Sequence, residues 1–564
     1  MEREQNNQSE KEKMLNGLYF NFYDPILQKE NSIAHKKCME YNNTKPNEEE
    51  KRKIILKSLI KIEENSYFLI SKNLFCEFGY NIIIKNNFFS LFNITFIDYN
   101  KISFGNNIFI NPNCTFYTLN YPLDYNERNK DLVYSKSISI GNNIYFGSNV
   151  CILPGINIGN NIIILDGCIV SKNIPDNSLV YGNPCQIEFI GENFNNEKNI
   201  LELINLIKNE NLNLCYEYNL NYNEEERNKF IKEKFKTTSN DEFSLMERLN
   251  FLNGKKISIG EDFYSNYNCT LIDTSEIEIN NSTMFGPNVT LNTITIKKEN
   301  EEYKIKHLPI KIGNNVWIGG NVNIIGGIKI GNNSVIGAGC FVNKDISENC
   351  VVIGNPCKIL RIFDIKKIDY LNLNDERSQK EKMLNEEIHF SDDKELCNDR
   401  EKSFLICHKF NYCENDDRIK FFDNFFKNEN NKNNKGINII PFFNCDYGYN
   451  INFKGDKFFS NCNLILLDIC EISFGNNCLI GPNCSFYCPY HPIEDIEGRE
   501  NDIEYGKKII IGNNVCIKGN CVILAGVKIG DNCVIGYGSI VTRNIPDNYF
   551  AYGNPCRIKN KIID

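Results

Sequence analysis

Histidine is scarce in this 564-residue chain, with five copies, and tryptophan scarcer still, with one. Other absences are broader. No apolar run approaches the roughly 20 residues that a membrane-spanning helix requires. Met1 opens a charged, Asn-rich segment rather than a signal peptide. A cytoplasmic protein without a membrane partner is therefore expected. Basic residues, 63 against 72 acidic, leave a net charge of −9. That disfavours nucleic acid as a partner and leaves room only for a local basic pocket around an anionic ligand. Cysteine is abundant, at 24, yet it is scattered through strand-like runs and forms no CxxC pair. Disulfide frameworks belong to small secreted domains, so these cysteines read as reduced, mostly buried small apolar residues.

What is present in quantity is repetition. Lys11-Glu-Lys-Met-Leu-Asn16 recurs as Lys380-Glu-Lys-Met-Leu-Asn385, and Gly-Asn-Pro-Cys begins at Gly182, Gly354 and Gly553. The chain divides into three tandem units, 1–192, 197–364 and 376–564, each of ordinary domain size. Within each unit a shorter period appears. Ile140, Phe146, Ile152, Ile158, Ile164 and Val170 stand six apart, as do Ile312 to Val342 and Ile511 to Val541. All eighteen positions are apolar. An amphipathic helix would place them three and four apart, and a simple amphipathic strand two apart. A period of six with Gly-Asn corners fits short strands joined by tight bends, since Gly and Asn tolerate left-handed backbone. Three sixes make the eighteen-residue step from Gly512 to Gly530, which predicts a triangular coil faced by parallel sheets. Residues 9–62, 197–235 and 378–427 carry apolar residues at helical spacing, so helices should lead into each coil. Residues 428–435 read as a flexible polar insertion.

Several residues single out the third unit: Cys445-Asp-Tyr-Gly-Tyr-Asn-Ile451, Phe458-Phe-Ser-Asn-Cys-Asn463, Leu467-Asp468, Tyr490-His-Pro492 and Tyr552-Gly-Asn-Pro-Cys556. With the Glu-Lys-Met-Leu helix start, they resemble the maltose/galactoside O-acetyltransferases, hexapeptide-repeat acyltransferases with a left-handed parallel β-helix. The resemblance implies a mainly β protein of three such domains, each preceded by short helices. It also implies an intramolecular pseudo-trimer, because family members are typically homotrimers with sites between neighbouring β-helices. Acetyl-CoA as co-substrate, no metal and a sugar or similar hydroxyl acceptor are the corresponding expectations.

On that resemblance His491 is the catalytic base and Asn461 its oxyanion-stabilising partner. Asp468, Asp446 and Asp392 (or Asp393) are expected to contact the acceptor, and Thr542, Arg543, Arg557 and Trp317 the cofactor; Asp98 and Asp273 persist in units lacking the base, so a structural turn role for Asp468 stays open. Histidine suits the task, because a sugar hydroxyl must lose its proton as it attacks and the imidazole pKa lies near working pH. Aligning the copies on Asp98, Asp273 and Asp468 places Tyr121 and Ile296 opposite His491, and neither is a base near neutrality. One complete site per chain follows, with units 1 and 2 degenerate. His307, in a shortened loop of unit 2, is a weak substitute, and Cys516, standing where unit 2 has Trp317, lacks a paired base. Unit 2 offers the cations Lys344, Lys358 and Arg361. Trp317 can serve the His491 site only if units 2 and 3 face each other there. A zinc enzyme of the carbonic-anhydrase type would need three histidines per metal, and the five here, at 35, 307, 389, 408 and 491, form no close pair in a coil segment. The remaining alternative is a decayed pseudoenzyme with a scaffolding or binding role.

Overall fold

The computed structural model describes residues 8–191, 194, 196–208, 213–220, 223–237, 243–299, 302–367, 377–413, 418, 426 and 436–562. The polar insertion expected at 428–435 lies outside them. Each unit coils into a triangular prism of two- to four-residue strands. In the third, seven strands from Ile437–Ile439 to Arg557–Lys561 form one face, five from Phe443–Cys445 to Ile540–Val541 the second, and four from Ile451–Phe453 to Lys528–Ile529 the third. Units 1 and 2 repeat this with faces of seven, five and five strands and of seven, five and four.

The hexad explains the prism. In-register pairing stacks Phe453, Phe474, Ile511 and Ile529 in one column. It stacks Ile480, Ile517, Ile535 and Ala551 in a second, and Phe486, Ile523 and Val541 in a third. All eighteen hexad residues are 4% exposed or less, each contributing about 1.5–3 kcal/mol by burial. Corners are turned by asparagines in the left-handed region, such as Asn315, Asn333, Asn514 and Asn532, at φ of 56–64°. Asparagine tolerates that conformation better than other residues with a Cβ.

The three prisms pack side by side within one chain, and equivalent contacts link unit 1 to 3, 3 to 2 and 2 to 1. Tyr117 donates to Asn520 Oδ1 at 2.6 Å, and Tyr487 to Asn321 Oδ1 at 2.9 Å. Arg128 Nη2 donates to Asn514 O at 2.8 Å, and Arg499 Nη2 to Asn315 O at 3.1 Å. Near the far end Asn183, Asn355 and Asn554 donate to the carbonyls of Gly538, Gly167 and Gly339 at 2.7–2.9 Å. The ring closes on itself, as a trimer's would. Unit 2's first helix, Glu197–Lys208, completes one seam, its buried Ile200, Leu203, Ile204 and Ile207 clustering with Phe89, Phe109 and Tyr145 of unit 1.

Helices enter each prism as the spacing predicts. Ser9 and Ser378 open them with capping boxes to Glu12 and Glu381, satisfying amides that would otherwise be orphaned. All 24 cysteines are unpaired, and only Cys397 and Cys413 are not buried. Among the described residues no helix is long and apolar enough to cross a membrane, and no cluster could hold a metal ion.

Candidate active site

His491 leaves the second face of unit 3 on a loop that folds into a small antiparallel sheet. Pro489–Tyr490 pairs with Ile503–Gly506, which pairs in turn with His389–Phe390. This register sets three side chains together. Glu504 lies opposite His389, with Oε2 3.5 Å from His389 Nε2 and Oε1 3.7 Å from His491 Nε2. Nδ1 of His491, buried, has no hydrogen-bond partner among the described residues. Burial holds the His491 pKa below the ordinary imidazole value, against the opposing pull of the Glu504 charge. Burial alone would raise the Glu504 carboxyl, but neighbouring His389, His491 and Arg400 hold it below its usual value.

Across the seam stands unit 2. The Trp317 ring meets His491 edge-on, with centroids 5.2 Å apart and planes at 84°. Units 2 and 3 therefore face each other at His491, and the single tryptophan belongs to that site. In register below Trp317 on the same face lie Met284 and Tyr264. Burial raises the Tyr264 phenol, helped by Asp446 and Glu504 of unit 3.

The residues expected around His491 divide. Asp446 is half-buried, and its carboxyl has no hydrogen-bond partner among the described residues. Its pKa is pushed well up by burial, then by Asp468 and Glu504. Asp392 is exposed at the mouth, where its charge helps raise Asp502, pushed up to about 6 mainly by burial. Arg400, on the helix Lys394–Tyr412, bonds the Tyr447 hydroxyl at 2.7 Å and lies among these carboxyls. Thr542 and Arg543, both exposed, follow Ile540–Val541 on the second face, stacked above the point where the His491 loop departs.

Three expectations need correction. Asp468 is fully buried and does not meet an acceptor. It accepts the backbone amides of Asp446, Tyr447, Gly448 and Asn450 at 2.8–3.3 Å. Burial raises it to about 7 against those bonds. Asp98 and Asp273 clamp the same turn in units 1 and 2. Asn461 does not join His491 either. It sits on the opposite side of unit 3 and donates from Nδ2 to Glu77 Oε1 of unit 1 at 2.7 Å. Its counterpart Asn266 stands on the Trp317 face, with Oδ1 held by the Tyr267 amide at 2.7 Å and Nδ2 without a partner among the described residues. Arg557 lies on the unit 3 face that carries Cys516 and is turned to unit 1. The equivalent strand of unit 2, on the same face as Trp317 but with two strands between, carries Lys358 and Arg361. The cause is common to the two misplaced residues: each seam joins different faces of two units, so one unit never supplies a whole site.

The other two seams lack the chemistry as a set. In unit 1, Phe20 pairs with Val133 where His389 pairs with Glu504, and Tyr121 replaces His491. All three are buried in one cluster with Cys516. Burial also raises the Cys516 thiol. In unit 2 the loop is a hairpin, Ile294–Glu299 with Glu302–His307, and His307 Nδ1 contacts Thr274 Oγ1 at 2.9 Å. Sequence reasoning missed Glu504, His389 and Arg400. Comparing the copies outside the His491 stretch would have shown Glu504 and His389 falling away together with the base.

Known proteins align with this arrangement. The maltose acetyltransferase hexapeptide capping motif matches residues 13–61 and 382–428. The bacterial transferase hexapeptide matches 309–344 and 508–543, and the hexapeptide repeat of succinyl-transferase matches 137–172. A putative acetyltransferase of Saccharomyces cerevisiae is 46% identical over 126 residues, 22% of this chain and 63% of that protein. The galactoside O-acetyltransferase of Escherichia coli is 40% identical over 156 residues, 26% of this chain and 75% of the relative. A galactoside acetyltransferase solved in complex with coenzyme A is 32% identical, covering 33% of this chain and 92% of that one, with a TM-score of 0.30.

Proposed function

This chain belongs to the maltose/galactoside O-acetyltransferase family of left-handed β-helix proteins, and we propose that it acetylates a sugar hydroxyl from acetyl-CoA at one site. The observation that carries this reading is His491 set between Glu504 of its own unit and Trp317 of unit 2.

The acceptor enters from the carboxyl-lined mouth of unit 3. Glu504 orients the ring, and the imidazole takes the hydroxyl proton as the oxygen attacks the thioester carbonyl. The C–S bond then breaks, and the departing thiolate recovers the proton from His491. A carboxylate behind the ring stabilises the imidazolium that forms. Asn266 has a free amide to donate to the developing oxyanion, the role the sequence assigned to Asn461. Asp446, its carboxyl raised by burial, is available to donate a hydrogen bond to the acceptor. Trp317 walls the thioester side, and Lys358 of unit 2 with Thr542 and Arg543 of unit 3 are the cations and hydroxyl offered to the cofactor's phosphates. Units 1 and 2 act as the walls a homotrimer would supply, so the active species is one chain.

Single-turnover acetyl-CoA consumption across a panel of sugars tests this reading. Turnover with at least one sugar is expected, from a species with the mass of a single chain. Silence with every acceptor would favour a binding or scaffolding role. Trp317→Ala tests the seam: an edge-on aromatic pair contributes about 0.5–1.5 kcal/mol. Loss of that ring should raise KM for acetyl-CoA or lower kcat by about three- to tenfold, although the residue lies in a unit without a base. An unchanged kcat/KM would remove unit 2 from the site.

A further inference from the structure

The small sheet beside His491 holds a second histidine, His389, whose side chain is fully buried. The antiparallel register sets it opposite Glu504. Its Nδ1 lies 3.1 Å from the carbonyl oxygen of Glu387, and its Nε2 lies 3.5 Å from Glu504 Oε2. Nε2 has no hydrogen-bond partner among the described residues.

Both neighbours of the ring are acceptors. A carbonyl oxygen can only accept, so Nδ1 carries a proton. In the neutral ring that tautomer leaves Nε2 with a lone pair facing a carboxylate, an arrangement a buried site penalises. A second proton, on Nε2, turns the contact into an ion pair and gives the buried carboxylate its counter-charge. Glu504 is then held from both sides, at Oε2 by His389 and at Oε1 by His491, 3.7 Å away.

Other charged groups surround this pair. Arg400 reaches it from the helix Lys394–Tyr412, and Asp446 and Asp502 lie within the influence of Glu504. Lys382 is buried on the helix Gln379–Leu384, which packs on the His389 strand. A charge on His389 also reaches the base. Burial is the main cause that lowers the His491 pKa, and Arg499 and His389 add to it, while Glu504 and the Ile503 backbone oppose it. Unit 1, which has no base, places Phe20 opposite Val133 at this rung.

We propose, resting on His491 as the base, that His389 is a positioning residue: a doubly protonated ring that fixes the Glu504 carboxylate beside His491 and keeps His491 free of its proton at rest. Two measurements on the full chain test this. Histidine NMR, with the His389 signals assigned by their loss in His389→Gln, should show both ring nitrogens protonated at neutral pH. One of those protons should be lost in Glu504→Gln. The second measurement is the pH profile of acetyl transfer. His389→Gln keeps an N–H for Glu504 and removes the charge, so the acid limb should move up by about half a unit or more. That is opposite to the shift expected of Glu504→Gln. His389→Phe removes the donor as well and should lower kcat about tenfold, as loss of a charge-assisted contact does, with KM for acetyl-CoA unchanged. In a Glu504→Gln background it should cost little further kcat, because the two act as one unit. A ring that only filled space would lower Tm when replaced and leave the acid limb of the folded enzyme in place. That result, or a single protonated nitrogen on His389 at neutral pH, would overturn the proposal. Silence with every sugar would remove the base reading instead, and the NMR result would then decide on His389 alone.

Discussion

Replacing His491 by alanine should lower kcat for acetyl transfer by about 100- to 10,000-fold, the range that a positioned general base contributes. No other seam should make up the loss, because Tyr121 replaces the base in unit 1 and His307 of unit 2 is set against Thr274. KM for acetyl-CoA should change little, since the imidazole acts on the acceptor hydroxyl. The pH profile gives the assignment a sign. The His491 pKa is held down by burial, so the ring stays neutral and competent at pH values where an ordinary histidine is half-protonated. Activity should therefore persist below pH of about 6.5 and fall only as the proton returns at lower pH. Glu504 opposes that depression, so Glu504→Gln should move the acid limb further down and slow the reaction. One pKa unit of lost interaction corresponds to about tenfold. A His491→Ala enzyme with wild-type kcat would refute the base. An acid limb that Glu504→Gln leaves in place would refute the pairing.

Sequence periodicity reached the fold because the prism is a local rule repeated. Every inward column is a set of residues one coil apart, and the corners take a left-handed backbone that asparagine or glycine mostly supplies, with Arg248, Asp262 and Ser282 as exceptions. A period of six is thus visible in one dimension. The site is not local in this sense. His491 was legible because one copy holds a base where two do not, but its neighbours come from a different face of a different unit. Asn461 and Arg557 follow from position within unit 3, whereas the unit 2 face that carries Trp317 to His491 holds their counterparts Asn266 and Lys358. Trp317 could be placed at the site only once the ring order of the units was known. Glu504 and His389 were overlooked because they are 115 residues apart in the chain, 504 less 389, and meet only through the register of a small antiparallel sheet. Their coordinated replacement by Val133 and Phe20 in unit 1 is the one-dimensional trace they leave.

Asp468 offers the sharpest separation of structure from catalysis, and its expected effect is on stability. Its carboxylate gathers four backbone amides of the turn 446–450, all at 2.8–3.3 Å. Truncation to alanine strands buried donors, each costing about 1–3 kcal/mol when left unsatisfied. Partial relaxation and water entry reduce the sum, so about 3 kcal/mol or more of destabilisation is the expectation for Asp468→Ala, seen as a lowered Tm. The control is built into the chain. Asp98 and Asp273 hold the equivalent turns through the amides of 77–79 and 252–254. Asp98→Ala and Asp273→Ala should therefore destabilise by a similar amount, in units that have no base. The turn at Asp468 also positions Asp446 beside Glu504, so Asp468→Ala alone should add a loss of activity per folded molecule. Were Asp468 instead an acceptor ligand, its alanine variant would raise the acceptor KM while leaving Tm near the wild-type value, and the three aspartates would differ in stability. Equal thermal losses across the three positions, with an activity loss confined to the third, would show that one backbone clamp serves every unit and that chemistry was retained beside only one of them.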